Sequence, residues 1–149
     1  MSNVEKAVSC FNEGFSCSQS VLSAYAGQFG LDRETALRLA GGFGGGMGRM
    51  GEVCGALTGA FMVIGLKYGS AESGESDSKI RTYELVYEAA ERFRARNGCM
   101  RCRDLLGIDI HNPEEREQAR EQGVFSTKCP GFVRDAAEII EELLKVDIF

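Results

Sequence analysis

Histidine is almost absent: the 149 residues include one, His111. Within one chain, this excludes a zinc hydrolase built on three histidines. It also excludes the di-iron bundle pattern with two Glu-x-x-His motifs. Any metal site made by one chain must rest on cysteines, carboxylates or both. Proline is scarce, with two residues, and runs of Ala, Glu, Leu and Arg favour helix. No apolar run is long enough for a bilayer. The longest, Val53 to Leu66, is interrupted only by Thr58 and falls short of the about 20 residues a membrane helix needs, so no membrane insertion is expected. Positive charge is in deficit: the net charge of −5 and pI near 5.0 argue against nucleic acid or an anionic membrane as the main partner. The N-terminal stretch MSNVEKAVSC has no basic flank followed by an apolar run, so no signal peptide is expected. The expected compartment is cytoplasmic, where thiols stay reduced. Six cysteines there point to metal or redox chemistry before a disulfide framework.

What is abundant is glycine, and it concentrates at Gly41 to Gly69, GGFGGGMGRMGEVCGALTGAFMVIGLKYG. A glycine-dense loop leads through Cys54 into a central helix that is apolar nearly all round and hence buried on most sides. Gly55 and Gly59, four apart, allow another backbone to approach closely, at about 1 kcal/mol of helix propensity per glycine. That face suits either packing within the chain or a subunit contact, so a homodimer is possible. Gly46-Met-Gly48-Arg-Met-Gly51 matches GxGxxG, but helix rather than strand precedes it, and the dinucleotide reading fails its context. Gly48, Arg49 and Gly51 remain as a candidate anion nest near Cys54.

The other elements are also helical. Residues 3 to 13 place Val4, Ala7, Val8 and Phe11 on one face, with Asn3 as N-cap, Gly14 as stop and Cys10 as a small core residue. Ser16 and Gln19 form a capping box for the next helix, and Asp32 starts a short third one. A long amphipathic helix is expected from about Lys79 to Arg96, with Ile80, Tyr83, Val86, Tyr87, Ala90 and Phe93 inward. Asn112-Pro113-Glu114 starts a charged helix ending at Gly123. The last helix, KCPGFVRDAAEIIEELLKV, begins at Cys129 with Pro130 just inside. His111 reads as a surface or capping residue. The expected architecture is all-α, a compact multi-helix bundle around the buried Gly/Ala-rich helix, with residues 1–149 as a single domain.

On this reading Cys17, Cys54, Cys102 and Cys129 each fall at or near the first turn of a helix. Unpaired N–H groups and a partial positive charge there favour thiolate over thiol. The pieces FSCSQSV around Cys17, Cys54-Gly55-Ala56-Leu57-Thr58-Gly59, CRDLLG beginning with Cys102 and KCPGFV around Cys129 resemble the C_GCAxxG_C_C family of redox-active proteins. The local order is Cys-Gly-Ala-x-x-Gly, and the four motifs cover nearly the whole chain. The resemblance implies thiol or electron-transfer chemistry in a helical domain. One related type of cytochrome carries a similar domain beside haem and an iron–sulfur cluster. This chain has no C-x-x-C-H for haem attachment, and Cys10 and Cys99 lie outside the four-cysteine pattern.

Three functional readings follow. In the first, the protein is a thiol–disulfide oxidoreductase or electron-transfer protein with Cys54 as attacking thiolate. Cys17, Cys102 or Cys129 then resolves, and the partner is a redox protein or a small-molecule substrate. In the second, Cys17, Cys54, Cys102 and Cys129 form a four-cysteine site for an iron–sulfur cluster or zinc, with spacings of 37, 48 and 27 residues unlike compact metal motifs. In the third, the cysteines are buried and inert and the protein is a helical interaction module.

Overall fold

The computed structural model describes residues 1–145. Eight α-helices account for it, and no strand occurs among the described residues beyond one isolated antiparallel bridge, Val53 to Arg101. The helices are α1 (Asn3–Asn12), α2 (Cys17–Ala26), α3 (Arg33–Ala40), α4 (Gly55–Tyr68), α5 (Asp77–Asn97), α6 (Cys102–Leu106), α7 (Pro113–Glu121) and α8 (Val124–Leu144). The fold is an all-α compact bundle, and no described helix is long and apolar enough to cross a membrane.

Helix α4 is its axis. Nine of its residues are buried, including Leu57, Val63 and Ile64, and it packs against α2, α5 and α8. The small-residue face is filled from within the chain. A Cβ on Gly59 would lie 3.0 Å from the Ser18 carbonyl oxygen and 3.1 Å from Val21 Cβ. A Cβ on Gly55 would lie 3.0 Å from the Ser18 amide nitrogen and 3.3 Å from Cys17 Cβ. The two glycines therefore let α2 lie directly on α4, with the starts of both helices side by side. On the far side, Tyr25 of α2 is fully buried and its hydroxyl reaches Glu141 of α8 at 2.9 Å. Outside the core, Arg96 of α5 meets Asp135, Glu138 and Glu142 of α8 at 2.8 to 3.3 Å.

Most helix starts follow the capping chemistry. Ser16 and Gln19 close a full capping box, Asp32 accepts from the Thr35 amide, and Asn112 accepts from Glu114 and Glu115 ahead of Pro113. Three expectations are corrected. The first N-cap is Ser2 rather than Asn3, because Ser2 and Glu5 complete a reciprocal box. On α5 the buried residues are Leu85, Ala89 and the expected Phe93, at spacings of four, with the expected Val86 and Ala90 packed beside them. Ile80, Tyr83 and Tyr87 are 45%, 63% and 67% exposed, since the apolar positions of this helix form two neighbouring stripes and only one meets α4. Finally, α8 begins five residues before Cys129, so Cys129 and Pro130 lie inside the helix. Val124 and Phe125 pack against Leu106, Ile110 and Cys129, and this burial offsets the one backbone hydrogen bond that Pro130 removes. The end of the expected last helix, Val146, lies outside the described residues.

Candidate functional site

Between α3 and α4 the chain turns with the opposite hand to a normal helix. Five consecutive residues, Gly45, Gly46, Met47, Gly48 and Arg49, have φ between 59° and 68°, and Gly51 follows at 72°. L-residues pay roughly 1–2 kcal/mol each for this conformation, so glycines fill it and only Met47 and Arg49 carry the strain. At Gly46 nothing larger fits: a Cβ would lie 2.7 Å from the Glu52 nitrogen and 2.8 Å from Cys102 Cβ. The turn is closed by its own amides. Arg49 N–H donates to the Gly44 carbonyl (3.1 Å), Gly48 N–H to the same oxygen, and Gly51 N–H to the Gly45 carbonyl (3.2 Å). The amides of Gly48, Arg49 and Gly51 are thus committed within the turn and form no open nest. What the turn presents outward is the Arg49 side chain.

A short clasp joins this turn to the segment before α6. Cys54 N–H donates to the Met100 carbonyl (2.8 Å), Cys102 N–H to the Glu52 carbonyl (2.6 Å) and Arg103 N–H to the Gly51 carbonyl (3.1 Å). Glu52 adds ion pairs to Arg101 (3.0 Å) and Arg103 (3.6 Å). Cys54, as N-cap of α4, and Cys102, as first residue of α6, are carried to the same place. The α2–α4 contact adds Cys17, the first residue of α2, and α8 adds Cys129 from its second turn.

All four cysteines line one cavity of about 310 Å³, together with Phe11, Phe125, Phe132, Leu105, Leu106, Ile110, Gly45, Gly46 and three arginines, Arg49, Arg116 and Arg120. Cys54 and Cys129 are buried, and Cys17 and Cys102 are partly so. The remaining two cysteines lie elsewhere. Cys10 is buried between α1 and α2, with its sulfur 3.6 Å from the Ser23 hydroxyl and 3.9 Å from Arg33 Nη2. Cys99 packs against the main core, its thiol facing the Asn97 carbonyl at 3.9 Å, so Cys99 and Cys102 of the CxxC point to different places. His111 is exposed and lines no part of the cavity. The cavity-facing arginines on α7 and Phe125 escaped the sequence reading, which placed Phe11 on a helix face without linking it to a site. Arg116 and Arg120 stand four apart on a helix so charged that it reads as a wholly solvated surface.

The thiols differ electrostatically. Cys17 has its pKa raised well above the ordinary thiol value, first by side-chain hydrogen bonds to Cys129 and Cys54, then by burial and by the charge that Cys54 and Cys129 carry when ionised. Cys54 is lowered. The hydrogen bond from Cys17 favours its thiolate, burial opposes, and the amides of Ala56 and Leu57 favour it again. No formed capping bond holds the Cys54 side chain, so those amides act on the sulfur as the open end of the α4 dipole. Cys102 is pushed up to about 12, chiefly by burial and then by Cys54 and Cys129. The cluster therefore sets a lowered Cys54 beside Cys17 and Cys102, both held protonated. All six cysteines are free, and among the described residues no group of three or more His, Cys, Asp or Glu is arranged to hold a metal ion.

An α-helical bundle that gathers four patterned cysteines from four helices into one cavity defines a class of thiol-bearing helical proteins. A family model described as "Putative redox-active protein (C_GCAxxG_C_C)" matches residues 15–143, and the chain belongs to that family. No curated protein and no solved structure gives a significant match.

Proposed function

We propose that this protein is a thiol–disulfide redox protein in which Cys54 is the attacking thiolate and Cys17 its resolving partner. Cys129 and Cys102 complete the set, and residues 1–149 act as one domain. The observation that carries this reading is that Cys17 and Cys54 line one cavity where the start of α2 lies directly on the start of α4, with Cys54 lowered and Cys17 raised. Thiol–disulfide exchange needs an accessible low-pKa thiolate next to a second thiol. Both cysteines line the cavity of about 310 Å³, which gives a small substrate room beside them.

In the forward direction, the Cys54 thiolate attacks one sulfur of a substrate disulfide. An S–S bond forms to Cys54 and the substrate S–S bond breaks, releasing one substrate thiolate. Cys54 is then uncharged, so part of what held the Cys17 proton in place is gone. Cys17 passes its proton to the released thiolate and attacks the Cys54 sulfur. The second substrate thiolate leaves, takes a proton from water, and a Cys17–Cys54 disulfide remains. Two electrons pass from the cysteine pair to the substrate, and the reverse exchange with a dithiol restores the pair.

The test is stepwise oxidation of reduced protein with less than one equivalent of a small disulfide, alkylation at low pH, and peptide mapping. A Cys17–Cys54 bond should appear first, and Cys54→Ser should lose it. Oxidation confined to Cys10 or Cys99 would refute the reading. The four sulfurs lining one cavity also support a second reading, a four-cysteine centre for an iron–sulfur cluster or zinc. The donor set suits either, although the thiols would have to draw together to close on an ion. Iron, sulfide and zinc analysis of protein purified without oxygen separates the two readings.

A further inference from the structure

The protein as a whole is acidic, with a net charge of −5, yet no Asp or Glu is among the residues that line the cysteine cavity. Three guanidinium groups do line it. Arg49 projects from the left-handed turn, where a positive φ at a non-glycine position is costly to maintain, and its side chain makes no hydrogen bond or ion pair among the described residues. Arg116 is oriented by the carbonyls of Ile110 (2.9 Å) and His111 (3.5 Å), which keep its charge uncompensated. Arg120 has one partner, Glu117 at 2.7 Å, in an exposed pair that solvent weakens. The remaining walls are largely apolar, with Phe11, Phe125 and Phe132 prominent.

A cavity lined by cysteines, arginines and aromatic rings, with no carboxylate, is matched by one kind of small molecule. We infer that the cavity takes a low-molecular-weight disulfide with an apolar body and carboxylate ends, the carboxylates held by Arg49, Arg116 and Arg120 while the S–S bond lies over Cys54. The inference rests on the thiol-exchange reading and names its substrate class. Guanidinium is suited to this task because its planar fork matches a carboxylate. The electron balance is that of the exchange above: the cysteine pair is oxidised to its disulfide and the acidic disulfide is reduced to two thiols.

The experiment compares two aromatic disulfides on the reduced full chain. One is dithiobis(nitrobenzoate), which carries two carboxylates, and the other is dithiodipyridine, which is neutral. Each rate is divided by the rate of the same reagent with a small reference thiol, and the modified cysteine is identified by peptide mapping. The inference predicts that Cys54 prefers the dianion by about tenfold or more at low salt, as charge-lined clefts do for oppositely charged ligands. The preference should shrink in 1 M salt, where the screening length drops to about 3 Å. Arg49→Asn, chosen because Asn tolerates a positive φ, and Arg120→Gln should each reduce the ratio of the two rates. Equal normalised rates at Cys54, unaffected by salt, would overturn the acidic-substrate inference and leave thiol exchange standing. If neither reagent modified Cys54 until the protein was unfolded, both would fall. The salt series on the unaltered chain keeps the test decisive even where a variant folds poorly.

Discussion

Two alanine substitutions on the same helix should shift stability in opposite directions. Gly59 and Gly65 both lie inside α4, and replacing either by alanine gains about 1 kcal/mol of helix propensity. Their surroundings differ. A Cβ at Gly65 meets nothing within 4 Å, whereas one at Gly59 would sit 3.0 Å from the Ser18 carbonyl and 3.1 Å from Val21 Cβ. Both contacts are with the body of α2 rather than with the end of a flexible side chain, so α2 must move. Overpacking of a close-packed interior costs about 1–3 kcal/mol. Gly65→Ala should therefore stabilise by up to about 1 kcal/mol, and Gly59→Ala should be neutral to about 2 kcal/mol destabilising. The propensity gain cancels in the comparison of the two variants, leaving a packing difference of about 1–3 kcal/mol. Urea unfolding of the reduced protein measures it through the midpoints, provided the slopes agree. The displacement also touches the site, because Cys17 sits at the start of α2. Gly59→Ala should slow thiol exchange at Cys54, and Gly65→Ala should not. Equal stabilisation by both substitutions would refute the α2–α4 contact.

Three further outcomes follow from the same geometry. Gly46→Ala combines a left-handed φ with Cβ contacts of 2.7 Å to the Glu52 backbone, and should destabilise by about 3 kcal/mol or more, read as a large loss of urea midpoint. Stability should fall as pH rises above about 8.5, where unfolded thiols ionise while Cys102, at about 12, and Cys17 stay protonated in the fold. The folded state then holds more protons than the unfolded one, and Cys102→Ser should flatten the decline between pH 8.5 and 10. Arg96→Ala, which removes the contacts to Asp135, Glu138 and Glu142, should cost about 1 kcal/mol or less and lose even that in high salt.

Much of the bundle is legible because its signals are local. A capping box at Ser16 and Gln19, or Asn112 ahead of Pro113, specifies a helix start through atoms within four residues. The buried α4 announces itself by being apolar on every side. What escaped depends on partners distant in sequence. On α5 the stripe through Ile80, Tyr83 and Tyr87 competes with that through Leu85, Ala89 and Phe93, and only the position of α4 decides between them. The start of α8 was misplaced because Pro130 is a common first-turn residue, whereas here the packing of Val124 and Phe125 extends the helix ahead of it. At the site, the pattern of four cysteines could be picked out in sequence, but neither their meeting at one cavity nor the separation of Cys99 from Cys102 could. The arginines were missed for a related reason. A charged helix looks solvated all round until the fold turns Arg116 and Arg120 toward the sulfurs.

The central claim concerns the ionisation of Cys54, and its most direct test is the pH dependence of alkylation followed cysteine by cysteine. Reduced protein is pulsed with iodoacetamide from pH 5 to 10, unfolded, labelled with a heavier reagent and mapped by mass spectrometry. The account predicts that Cys54 reacts with a midpoint below the usual thiol value of about 8.5, ahead of Cys17 and Cys102, whose labelling stays low across the range. It also predicts that Cys17→Ala moves the Cys54 midpoint upward, since the Cys17 thiol supplies the largest stabilisation of the thiolate. A Cys54 midpoint at or above the usual value, or one indifferent to the loss of Cys17, would contradict it.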